Sequence, residues 1–177
     1  MKKIILLFGI TGILMAFSGC QSDDDSGQAD FFIEGTVDGE KVYADYLRPG
    51  TTETYFAESH RFTFQRKISE ENQIVWYMSV DDLDLDNITF PRTLRHFENN
   101  GDPFLDFSYI NDNDGQEISY GLDNINTERF SVVLTDWSDD ILSGTFSGEL
   151  SSGAGDNDPF ITVTNGSFRI KLSRVPL

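Results

Sequence analysis

Phe31-Phe32-Ile33-Glu34-Gly35-Thr36-Val37-Asp38-Gly39-Glu40-Lys41-Val42-Tyr43-Ala44 holds two short apolar-and-polar runs on either side of Asp38-Gly39. An Asp-Gly pair supplies the positive φ that a type I′ turn needs at both central positions, so the stretch reads as a tight hairpin of 31–37 against 40–44. The same period of two, punctuated by turn residues, continues to the end of the chain. Arg61 to Ile68 sets Phe62, Phe64 and Ile68 on one side and Arg61, Thr63, Gln65 and Lys67 on the other, a half-buried strand. After a turn at Ser69 to Asn72, Gln73 to Val80 is apolar on both sides and reads as a central strand, with Trp76 in the core.

Further pairs follow the same logic. Phe104–Ile110 faces Glu117–Leu122 across Asn111-Asp112-Asn113-Asp114-Gly115, and Arg129–Thr135 faces Ile141–Leu150 across Trp137-Ser138-Asp139-Asp140. Gly153 to Pro159 reads as a loop. Phe160–Thr164 and Ser167–Leu172 flank Asn165-Gly166 as a last pair, with Phe168, Ile170 and Leu172 inward and Arg169 and Lys171 outward. Only Ala29, Ala44, Ala57 and Ala154 remain of the best helix former beyond residue 20, so almost no helix is expected. About ten short strands without crossover helices predict an all-β domain over 31–177. The expected form is an antiparallel two-sheet β-sandwich, with a closed up-and-down β-barrel as the alternative. A domain of this size buries enough surface to need no disulfide or metal.

The opening residues belong to a different kind of segment. Met1-Lys2-Lys3 precedes a nearly unbroken apolar run from Ile4 to Phe17, then Ser18-Gly19-Cys20, the layout of a secretory signal. Fourteen residues make about 21 Å of helix, short of a hydrocarbon core of roughly 30 Å, so a leader over 1–19 is expected and not a permanent span. Phe17-Ser18-Gly19-Cys20 resembles the lipobox of bacterial lipoproteins, with Phe17 where an aliphatic residue is usual. That resemblance implies that Cys20 becomes the mature N-terminus and carries a diacylglycerol thioether and an N-acyl chain. At about 0.8 kcal/mol per buried methylene, three chains, palmitate-like in length, hold a protein on a membrane where one does so only marginally. Residues 20–30, rich in Asp and Ser, read as a disordered acidic tether. An acidic run after the lipidated cysteine resembles the export signal of Bacteroidetes-type lipoproteins, implying a place on the outer membrane at the cell surface. The opening hairpin and the block Leu142–Leu150 with Ile161–Lys171 are similar to uncharacterised β-rich domains of such surface lipoproteins. Those domains bring no catalytic residue with them.

The charge narrows the function further. The chain has 177 residues, 13 Lys+Arg against 30 Asp+Glu, and a formal charge of -17. Loss of the leader removes Lys2 and Lys3 and no acid, leaving the mature chain more acidic still. Such a charge repels phosphates, so no nucleic-acid partner is expected. One cysteine and two histidines exclude the usual zinc and haem spacings, and no cofactor or metal is expected. The chain contains no G-x-S-x-G elbow, H-E-x-x-H helix or G-K-[ST] loop.

Several stretches compete for chemical roles. Asp81-Asp82-Leu83-Asp84-Leu85-Asp86, read as a strand, projects Asp82, Asp84 and Asp86 from one face, either a cation site or a solvated face that resists edge pairing. Asp112-Asn113-Asp114-Gly115 and Asp156-Asn157-Asp158 are fragments of calcium loops that turn chemistry also explains; in EF-hand register Ile110 and Gly121 would fall at ligand positions. Gly144 and Gly148 mark a bulge or a close backbone approach. His60 and His96 read as exposed loop residues. Trp137, ending a strand and opening an acidic turn, is the candidate ligand-binding residue, with core packing as its competing role. The expected function is a membrane-anchored binding or accessory module for a glycan or an envelope protein. The alternatives are a carboxylate-dependent hydrolase such as a glycosidase, which needs only two acids suitably apart, or a purely structural envelope subunit.

Overall fold

A computed structural model of the protein describes residues 30–96, 102–113, 116–122, 129–153 and 158–175. The leader, Cys20 and the tether up to residue 29 lie outside the described residues, as do Asp114-Gly115 and Asp156-Asn157. The strands are β1 (Phe32–Val37), β2 (Glu40–Ala44), β3 (Thr54–Phe56), β4 (Arg61–Lys67), β5 (Val75–Asp81), β6 (Arg92–Arg95), β7 (Phe104–Asn113), β8 (Gln116–Gly121), β9 (Phe130–Ser138), β10 (Ile141–Ser151), β11 (Phe160–Lys171) and β12 (Ser173–Val175). The opening hairpin forms as read: Asp38 and Gly39 take φ values of 48° and 91°, and Val37 pairs with Glu40. Central placement of β5 also holds, between β4 and β7, and Trp76, Met78 and Val80 are buried on one face. Its other face is only half-buried at Val75 and Tyr77.

The all-β class holds, but the two-sheet sandwich does not. The strands form one strongly curled open sheet, a half-barrel. Its order is β12-β3-β4-β5-β7-β8-β10-β11-β1-β2, with β9 on β10 and β6 on β9. Every described pairing is antiparallel except β12 with β3. Shifts of register between Glu34 and Thr36 and between Phe146 and Gly148 bend the strands and strengthen their twist, which is how a single sheet wraps a core. The curl carries the chain just past β2 onto β4. There Tyr46 and Lys67 exchange both backbone hydrogen bonds at 3.0 Å. An isolated bridge is not a ladder, so the closed-barrel alternative fails as well.

The last expected hairpin is also corrected. Asn165-Gly166 makes no turn; 160–171 is one continuous strand, and Asn165 takes φ 52° as an irregularity within it. Gly166 faces the core, where an added Cβ would strike the Phe146 ring. A hairpin turn and a bulge both favour an Asn-Gly pair, and only the neighbouring strands distinguish them. Around this point the core is aromatic: Phe146 stands 5.3 Å from Trp76, 4.9 Å from Phe107 and 6.5 Å from Phe168, ring centre to ring centre. Each such contact adds about 0.5–1.5 kcal/mol beyond area burial. Phe168, Ile170 and Leu172 point inward as expected.

Gly148 lies where the partner of β10 changes. From Ile141 to Gly148 that edge pairs with β9, and at Ser151 it pairs with Gly121 of β8. Gly148 takes φ 137°, and a Cβ there would run into the Arg129 and Phe130 backbone. A bulge and a close backbone approach therefore coincide at this residue. The resulting fork lets β9 and β6 leave the main order while β8 takes over the edge.

One buried ion pair fixes the 45–53 segment to the curl. Arg66, inward-facing on β4, gives Nε to Glu53 Oε1 at 2.8 Å and Nη2 to Glu53 Oε2 at 2.6 Å, and Nη1 to the Asp45 carbonyl at 2.6 Å. Their side chains are 8% and 2% exposed, respectively. Burial pushes the Glu53 carboxyl upward against the pull of Arg66.

Candidate functional site

Trp137 sits near the end of β9, just before the turn into β10. It is neither a free platform nor a core residue: it is half-buried and packs against the core rim. Its Nε1–H donates to Asp86 Oδ1 at 3.1 Å, and its ring meets Tyr55 of β3 edge-on at 5.7 Å. The guanidinium of Arg174, on β12, lies over both rings, 5.7 Å from the Trp137 centroid and 5.3 Å from that of Tyr55. Arg174 also grips Asp86 with two nitrogens, at 2.7 and 2.8 Å, and reaches Asp140 Oδ1 with Nε at 3.2 Å. Four separate parts of the chain thus meet: β3, the segment after β5, the β9–β10 turn and β12.

The segment after β5 corrects the strand expected through Asp86. The chain leaves the ladder at Asp82, which takes φ 62°, and residues 85–87 form a turn. Leu83 and Leu85 are still buried, at 3% and 1% exposure, so the sequence alternation reports burial correctly and backbone form incorrectly. Asp84 organises the turn, accepting from Asn87 Nδ2 at 2.7 Å and from the Asp86 backbone N–H at 3.1 Å. The exposed His60 places Nε2 3.5 Å from Asp84 Oδ2, and Tyr55 donates its hydroxyl to Asp84 Oδ1 at 3.4 Å. The three aspartates therefore do not share a strand face. Among the described residues no group of three or more His, Cys, Asp or Glu is arranged to hold a metal ion.

The electrostatics favour fixed charges here. Hydrogen bonds from Arg174, helped by Trp137, hold Asp86 down at about 2, and Asn87 foremost lowers Asp84. Burial, followed by the two aspartates, raises the Tyr55 phenol and keeps it neutral. A glycosidase needs one carboxyl raised to act as acid beside one ionised. Among the described residues Glu53 and Asp106 are the carboxyls raised by burial, but Glu53 is engaged by Arg66, and the charges felt by Asp106 are His96 and Asp81. The arrangement at Trp137 can stack, donate and attract, and its carboxyls Asp84 and Asp86 are held toward the ionised form.

His96 overturns its expected exposure. It is 5% exposed, with Nδ1 2.9 Å from the Leu105 carbonyl and its ring edge-on to Phe104 at 5.7 Å. Pairing of β6 with β9 was not legible in the sequence, and it is the end of β6 that brings this imidazole onto the start of β7. His60 is exposed as read. Trp76 is fully buried, also as read, with its indole N–H lacking an acceptor among the described residues. Sequence reasoning missed Tyr55, Arg66 and Arg174. The strand parity of Phe62 and Phe64 extends to Arg66 and could have revealed it; nothing local marks Arg174.

No helix among the described residues is long and apolar enough to cross a membrane. No protein-family model, no curated protein and no solved structure matches this chain.

Proposed function

We propose that the protein is a lipoprotein of the outer membrane, held at the cell surface through acylated Cys20, whose β domain recognises a glycan or an envelope protein and does not transform it. The Bacteroidetes-type resemblance of its leader and acidic tether supports the location. The observation that carries the recognition role is the pair of Trp137 and Arg174, both locked by Asp86 and backed by the fully buried ring of Tyr55. The indole and the guanidinium are held in place by hydrogen bonds to the Asp86 carboxylate, with the buried Tyr55 ring packed against them, so little side-chain freedom is lost when a partner docks. Indole faces stack on sugar rings, and the Arg174 charge is already met by Asp86 and Asp140, which makes a neutral glycan the suitable sugar partner.

The test is a glycan array and a crosslinking pull-down from solubilised envelopes, each run with the wild-type domain and with Trp137→Ala. Loss of a specific signal in a folded variant supports recognition at this end. An unchanged signal moves the function elsewhere, and hydrolysis of any arrayed glycan by the wild-type domain overturns the non-catalytic reading.

A further inference from the structure

The structure assigns a second binding site at the tip of the opening hairpin, a cavity for a small organic cation with an apolar body. It lies between the β1–β2 hairpin, the β7–β8 pair and the start of β11, and its volume is about 270 Å³. Val37, Val42 and Ile161 are buried lining residues, at 8%, 7% and 6% exposure. Tyr109 and Tyr120, paired across β7 and β8, supply aromatic wall, and Asp38 and Glu40 supply the exposed carboxylates. No lysine or arginine is among the described lining residues. The nearby Lys41 is drawn to Glu34 at 2.9 Å.

The combination selects against other ligands. Anions meet two carboxylates that form no ion pair among the described residues, on a strongly acidic chain. A bare divalent ion prefers six or more oxygen ligands, whereas three aliphatic side chains line this cavity. An alkylammonium or quaternary ammonium group satisfies both halves of the lining, because phenol rings and carboxylates attract its charge while its carbon body covers the valines and Ile161. The site is also preorganised. Asp38 accepts from the Thr162 backbone N–H at 2.8 Å and returns its own N–H to the Thr162 carbonyl at 2.9 Å, which pins the hairpin tip to β11. The carboxylates act on the aromatic wall: after burial, Glu40 is the largest influence raising the Tyr109 phenol, with Tyr120 and Asp38 contributing. Immediately against Tyr109 stands the buried Trp76, at 4.7 Å between ring centres. That contact gives the cavity its own optical reporter.

The experiment uses the lipid-free chain from residue 21 carrying Trp137→Phe, so that Trp76 is the remaining tryptophan. Choline, its neutral isostere 3,3-dimethylbutan-1-ol, and calcium chloride are titrated while indole fluorescence and melting temperature are followed. Choline is expected to give a saturable change and a raised melting temperature, and the neutral isostere to bind at least about tenfold more weakly, the ratio that 1.4 kcal/mol provides. Glu40→Gln is expected to weaken choline binding about threefold to tenfold. Tyr120→Ala is expected to do so by a similar factor, while Tyr120→Phe retains it. Both side chains are at least partly exposed, and circular dichroism confirms that the variants fold. The inference is overturned if choline gives no saturable change, if the alcohol matches it, if calcium alone binds, or if folded Glu40→Gln and Tyr120→Ala variants bind as the parent does.

Discussion

Arg174 and Asp86, 88 residues apart in the chain, meet through two parallel N–H···O bonds of 2.7 and 2.8 Å at the surface of the domain. The contact ties the final strand to the turn after β5 and holds the arginine over Tyr55 and Trp137. Asp86 is also the acceptor for Trp137, so the carboxylate orients the aromatic group and the cation together.

This pair sets an acid-stability signature. The Asp86 carboxyl is lowered from 3.8 to about 2, so the unfolded chain binds its proton first as pH falls. Its contribution to stability is present above 3.8 and is lost progressively as pH falls through about 2. Both side chains are more than a third exposed, so the effect is modest and salt-sensitive. Arg174→Gln is expected to flatten the loss of melting temperature across this window at low salt. Identical acid slopes in the two proteins would show that the pair contributes nothing.

The buried pair is a larger lever. Arg66→Met leaves the Glu53 carboxylate buried without its guanidinium, and a loss of about 3–5 kcal/mol is expected in urea unfolding. Arg66→Met with Glu53→Leu removes both charges and is expected to be more stable than Arg66→Met alone. A double variant as unstable as the two single losses added together would mean that the pair is not coupled.

Gly148 has no tolerated replacement. Alanine there needs both φ 137° and space already held by the Arg129 and Phe130 backbone, so Gly148→Ala is expected to cost more than about 2 kcal/mol. Hydrogen exchange is expected to speed up first in β9, whose pairing with β10 ends at this residue. Protection lost evenly over all strands would contradict the fork as a local feature.

The proposed anchor has a direct assay. In the native host, Cys20→Ala is expected to release the protein from the membrane fraction, and intact mass of the wild type is expected to begin at an acylated Cys20. A wild-type protein recovered unacylated in the soluble fraction would remove the basis for the proposed location.

The chain by itself determined which residues face inward. Period two places Phe62, Phe64, Trp76, Phe168 and Ile170 in the core, and Asp38-Gly39 defines its hairpin, because strand pleat and turn dihedrals are local properties. Alternation is blind to lateral neighbours: the same buried face serves a sandwich, a barrel or a curled sheet. Thus the curl, the fork at Gly148, the bulge at Asn165 and the pairing of β6 with β9 were decided only when the strands were assembled. The Trp137 site divides in the same way. Its tryptophan is conspicuous in a strand-ending acidic turn, but Tyr55, Asp86 and Arg174 acquire their meaning from long-range register and a guanidinium whose partner is 88 residues away. His96 shows the reverse error, a polar residue in a polar stretch that the path of β6 folds beneath the surface, where a backbone carbonyl satisfies its ring nitrogen.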